Sequence, residues 1–134
     1  MKLDRHDGEG FSMTEYTAPP GFAPPPVLHR HTRESAGAYI LDGELSMWFE
    51  GDDEPRKLGP GTFVWLPRGA WFRWANETEE PVRWLNFFTP PGFDHFFAEV
   101  AAEVTAAGGP SPEVMARVVP EVRARYGDEG HPDA

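Results

Sequence analysis

Two histidines separated by one residue, His29 and His31, are the side chains of this sequence best placed to do chemistry as a pair. In an extended strand residues i and i+2 project to the same side, so both imidazoles face one way and can chelate a metal ion or move a proton. The chain has no Cys, which removes disulfides, thiolate nucleophiles and sulfur-ligated metal centres together. Any metal must therefore be held by His and carboxylate. Glu34 is the one carboxylate near the pair, but it falls where the chain turns before the next strand, which argues against its reaching into the same space. His95 is a more distant candidate donor.

Such a pair needs a rigid support, and the rest of the sequence reads as one. Its 134 residues are enough for one domain with a real core. Fourteen Gly and 15 Pro punctuate short apolar runs, the pattern of an antiparallel sandwich or barrel with strands every eight to twelve residues or so. Strands are expected over 11–18, 27–31, 36–41, 45–49, 62–66, 71–75 and 82–89. The proline-rich stretch 19–26 serves as a rigid approach to the histidine strand, and Asp42-Gly43 favours a tight hairpin that sets 45–49 antiparallel to 36–41. From Phe93 the apolar period becomes helical through Phe96, Phe97, Val100 and Val104. Ser111-Pro112 starts a second helix as N-cap and first residue, Pro120 should kink or end it, and the tail after Gly127 should fray.

Composition narrows the partners. Twelve Lys and Arg against 22 Asp and Glu give a net charge of −10, a field that repels phosphate backbones and anionic membranes. No nucleic acid or membrane partner is expected. The charged N-terminus MKLDRHDGEG lacks the apolar core of a secretory signal, so the expected location is the cytoplasm. Five Trp, ten Phe and three Tyr exceed what a small core needs, and part of that surface is available to line a cavity for a small molecule.

The stretch HRHTRESAGAYILDGEL from His29 to Leu45, followed by Gly61, Pro67, Gly69 and Asn76, resembles the two motifs of the cupin superfamily. His29, His31 and Gly43 match the first motif and the other four residues match the second. The helical tail, beginning PPGFDHFF, is similar to that of single-domain cupins of the quercetin-dioxygenase-like kind. The resemblance implies a mainly β fold, a double-stranded β-helix or jelly-roll barrel with a C-terminal α-helical tail: barrel over 1–92, helices packed on it over 93–127, flexible tail over 128–134. It also implies a homodimer, with which an exposed Trp48 is compatible.

The departures from the motifs shape the expected function. The family's Glu ligand falls on Ala36, its second-motif His on Phe72, and the first Gly of its first motif on Ala23. Only His29 and His31 remain as family ligands, so no cofactor is expected beyond a weakly bound divalent metal at that pair. Replacing Glu by a methyl and His by a benzyl ring turns a polar metal pocket into an apolar one. By alternation, Ala36, Ala38 and Ile40 on one strand and Phe72, Trp74 and Asn76 on another line it with the histidines. Trp65 and Leu85 or Phe87 are further lining candidates. The expected activity is a metal-independent tailoring enzyme, a cyclase or isomerase, acting on a small hydrophobic or aromatic molecule with His29 and His31 as acid and base. The alternatives are a non-catalytic binder and a metal-dependent dioxygenase with an atypical ligand set, Glu34 or His95 included.

Overall fold

The computed structural model describes residues 10–24 and 26–130, with the backbone alone for Asp94; the expectations for residues 1–9 and 131–134 lie outside the described residues. Among them the order is β1 (Ser12–Ala18), β2 (His29–His31), β3 (Ser35–Asp42), β4 (Leu45–Phe49), β5 (Arg56–Leu58), β6 (Phe63–Leu66), β7 (Phe72–Ala75), β8 (Val82–Thr89), α1 (Asp94–Ala106), α2 (Pro112–Arg125) and β9 (Asp128–Gly130). The strands form two antiparallel sheets, ordered β1-β8-β3-β6 and β5-β4-β7-β2-β9. Ala36, Ala38, Ile40, Val82, Trp84 and Phe88 of the first sheet meet Leu45, Met47 and Phe72 of the second in one core, so alternate residues of each strand point inward. No helix among the described residues is long and apolar enough to cross a membrane.

The Asp42-Gly43 turn differs from the hairpin expected of it. Strand β3 pairs with β6 and β8, and β4 with β5 and β7, so this turn carries the chain from one sheet to the other. Gly43 has φ +81°, and a Cβ there would stand 2.5 Å from the Pro81 carbonyl and 2.8 Å from Val82 Cα. The crossing presses backbone on backbone, which only glycine permits.

At the C-terminus the Ser111 hydroxyl accepts the Val114 N–H at 3.1 Å and caps α2 as expected. The helix then runs through Pro120 to Arg125. Val118 and Val122, on either side of the proline, are both buried, and their packing carries the helix past the lost backbone hydrogen bond. Nor do residues 128–130 fray. They form β9 against β2, with His29 opposite Gly130, Arg30 opposite Glu129 and His31 opposite Asp128. The Gly127 carbonyl accepts both Thr32 N–H and Thr32 Oγ1, at 2.9 and 2.8 Å, and Arg30 pairs with Glu129 at 2.8 Å.

Trp48 is covered, not exposed: the Arg73 guanidinium lies 3.6 Å from its ring centroid. Asn76 lies at the end of β7 and acts as a turn amide. Its Nδ2 donates to the carbonyls of Ala18, Pro19 and Glu80 at 3.2, 3.1 and 2.7 Å, and its Oδ1 accepts Thr78 N–H and Oγ1 at 3.0 and 2.7 Å.

Two substitutions test this frame by urea denaturation. Gly43→Ala should cost about 2–4 kcal/mol, because strain at positive φ adds to a backbone clash; a loss below about 0.5 kcal/mol would contradict the sheet-to-sheet crossing. Asn76→Ala should cost about 2–4 kcal/mol by orphaning buried carbonyls, and Asn76→Asp should not rescue it, since a carboxylate cannot donate.

Candidate functional site

Strand β2 is three residues long, and its alternation sends His29 and His31 inward while Arg30 faces out over the Trp71 ring at 4.6 Å. On one side β2 pairs with β7 through His29 and Phe72, whose ring centroids are 4.5 Å apart. The benzyl ring at 72 thus stands directly beside the histidine pair. Ala36, inward on β3, lines the same space. His31 also packs edge-on against Phe93, the residue that precedes α1, at 4.3 Å.

That space is a cavity of about 310 Å³. Its inner wall includes Ala38, Phe72, Trp74, Trp84 and Phe88, and Trp84 Nε1 is satisfied within the wall by Asn86 Oδ1 at 2.7 Å. Helices α1 and α2 close the barrel end with Phe96, Val100 and Val119. The lining residues Phe22, Phe97 and Met115 are each 39–40% exposed and mark its mouth. Tyr16 also lines the wall, and burial pushes its phenol above the ordinary value.

Of the expected lining residues, His29, His31, Ala36, Ala38, Phe72 and Trp74 meet around this cavity, and four do not. Ile40 is fully buried, but further along β3 than the cavity extends. Asn76 is committed to its turn. Trp65 faces away on β6, 48% exposed. Phe87 points to the outer face of β8 with Phe11 and Phe63, leaving Phe88 to point in.

The polar end of the cavity is fuller than the motifs imply. Glu34 is buried, with Oε1 2.9 Å from His31 Nδ1, contrary to the expectation that it falls short of the barrel. The contact is too poorly aligned to be a hydrogen bond, and neither atom has another partner. Asp128, opposite His31 on β9, brings a second carboxylate, its side chain 3% exposed. Arg123 Nε lies 3.3 Å from Asp128 Oδ2, while Asp128 Oδ1 has no hydrogen-bond partner. Ligand atoms of His29, His31 and Asp128 all lie within 4.8 Å of one another. His95 is not among them.

Burial, aided by the charges of His31 and Arg123, lowers the His29 pKa to about 3, so its imidazole is neutral at ordinary pH. Burial also raises the Asp128 carboxyl, against the opposing pull of His31 and Arg123. Neutral imidazoles are the form that binds metals, so the donor chemistry of the three residues fits a divalent ion. Beside the two histidines that the motifs retain, β9 places Asp128 as a third potential donor, where the sequence pointed to Glu34 or His95. Sequence reasoning missed Asp128 because it lies 97 residues beyond His31 in a short acidic segment with no strand signal. Gly127, at φ +71°, is the one local hint of a turn there.

Comparison with known proteins agrees with this architecture. TT1209 from Thermus thermophilus is 27% identical over 61% of this chain and 74% of its own, with a TM-score of 0.52. The polyketide cyclase RemF from Streptomyces resistomycificus is 23% identical over 64% of this chain and 59% of its own, at a TM-score of 0.55. A cupin-superfamily sugar phosphate isomerase from Silicibacter pomeroyi is 21% identical over 59% of this chain, with a TM-score of 0.52, and this chain spans only 50% of its length. No curated protein matches the sequence. The cupin domain profile matches residues 14–88, more than half of the chain, and with the two-sheet barrel and the inward histidine pair this establishes that the chain belongs to the cupin family.

Proposed function

We propose that this protein is a small-molecule cupin of the tailoring-enzyme type, which encloses a flat, mainly apolar molecule and presents its one polar end to His29, His31, Glu34 and Asp128. The observation that carries the reading is the cavity itself: about 310 Å³, walled by aromatic and aliphatic side chains and polar at one end. A wall of this kind gains from burying apolar surface and orients its occupant through a few polar groups. It suits a sugar phosphate poorly. Several hydroxyls would go without partners, and two buried carboxylates repel a phosphate.

The polar end is where a bond of the occupant would change, by isomerisation or ring closure, with bulk water held out by Phe72, Phe93 and the helices. His29, neutral at ordinary pH, serves there as an acceptor. Glu34, with Oε1 beside Nδ1 of His31, favours the tautomer that carries its proton on that nitrogen. Binding without turnover is the second reading, and the depressed His29 pKa favours it, since a base that weak removes protons slowly near neutrality.

Two measurements test the proposal. Quenching of Trp74 and Trp84 fluorescence by 2-naphthol should be saturable, and Ala38→Phe, which fills the cavity, should weaken it at least tenfold while the fold is retained. Absence of saturable quenching across a panel of flat aromatic compounds, or preferential binding of glucose 6-phosphate, would sink the reading. Once a turned-over compound is in hand, His31→Gln should lower kcat by about 100-fold or more with little change in KM; an effect on affinity alone would make the protein a binder.

A further inference from the structure

We infer that His29, His31 and Asp128 together hold a divalent transition-metal ion, with the carboxylate supplied by β9 from the far end of the chain and Glu34 orienting His31 from behind. The inference rests on the geometry of the polar cluster and not on the identity of the cavity's occupant, so the ligand titrations above can fail or succeed independently of it.

The placement of the three donors is fixed by backbone pairing. His31 and Asp128 stand directly opposite in an antiparallel register, and His29 lies two residues along on the same face. Opposed side chains of such a pair begin about 4.5–5.5 Å apart at Cβ, within reach of a common ion. Their ligand atoms already lie within 4.8 Å of one another. Bonds of about 2.0–2.2 Å to a shared ion bring donors roughly 3–3.5 Å apart, a closure that side-chain rotation can supply without moving the strands.

The cluster also lacks something. Asp128 Oδ1, His31 Nδ1 and Glu34 Oε1 are buried without a hydrogen-bond partner. Arg123 Nε stands 3.3 Å from Oδ2 of Asp128 without a hydrogen bond to it, and leaves Oδ1 unengaged. A buried carboxylate oxygen left without a partner is costly unless a cation or donor compensates it. A cation on the free oxygen and the two imidazoles compensates it.

The contact of Glu34 with Nδ1 of His31 has a specific meaning in this setting. A histidine that binds metal through one ring nitrogen turns the other toward a carboxylate or carbonyl, which fixes the ring and raises its basicity. Glu34 stands at that outer place, where a small rotation would align the contact as a hydrogen bond and leave Nε2 to the ion. Two imidazoles and one carboxylate select zinc, iron(II), cobalt or nickel over calcium and magnesium, which take oxygen donors. When bound, such an ion supplies Lewis acidity toward an oxygen of the cavity's occupant.

The test uses the full chain, stripped with chelator and titrated with Zn²⁺ by calorimetry and with Co²⁺ by visible absorption. One ion per chain is expected, with d–d bands of a protein-ligated cobalt. Asp128→Ala and the near-isosteric Asp128→Asn should each weaken binding at least 100-fold. Glu34→Gln should weaken it about 10- to 100-fold while keeping the cobalt bands. Glu129→Ala, on the outer face of β9, should leave binding unchanged. The inference is overturned if the wild-type chain binds no stoichiometric ion, or if a folded Asp128→Asn chain binds as tightly as wild type. Should both Asp128 variants fail to fold, the Glu34→Gln and wild-type titrations decide by the same criteria.

Discussion

Strand β2 has three residues and is hydrogen-bonded on both sides, to β7 through His29 and to β9 along its whole length. That double pairing fixes the character of the polar end. On the β7 side it sets an aromatic ring against the histidines; on the β9 side it sets a carboxylate against them. Because register in a sheet moves in whole residues, and a slip of one inverts every side chain, the combination of Phe72, two imidazoles and Asp128 is a property of the backbone ladder, not of flexible side chains finding one another.

The surroundings make those few polar groups matter. Aromatic side chains from both sheets and from α1 line the cavity, and a charge buried beside such a lining interacts more strongly than one in water. The depressed His29 pKa and the raised Asp128 carboxyl record that burial from opposite sides. An apolar lining and a charged cluster are therefore complementary. The lining offers apolar surface to bury, and the cluster gathers polar groups at one end of it.

Much of this was legible in the sequence. Apolar runs broken by Gly and Pro located β1 to β4 and β6 to β8, and alternation put Ala36, Ala38, Phe72 and Trp74 on the side of the histidines. Alternation says nothing about depth along a strand, which is why Ile40 and Asn76 share the inward face yet lie beyond the cavity. Nor does it fix parity where no anchor residue is known, so Phe87 and Trp65 face outward, and Phe88, which the sequence analysis did not single out, faces in. Strand β5, Arg-Lys-Leu, and β9, Asp-Glu-Gly, carry no apolar pattern because they lie at sheet edges. Tertiary pairing alone makes them strands. The hairpin expected at Asp42-Gly43 failed for a related reason: a local turn signal states that the chain reverses, not which sheet it joins next.

The run of chain from Met115 to Asp128 joins two places that sequence distance would keep apart. Its beginning borders the mouth of the cavity at Met115; its end reaches the innermost charges through Arg123 and Asp128. Arg123 lies on α2 itself, so a displacement of that helix would move the cation that pairs with Asp128. One helix thus carries both a residue of the rim and the guanidinium that faces the innermost carboxylate.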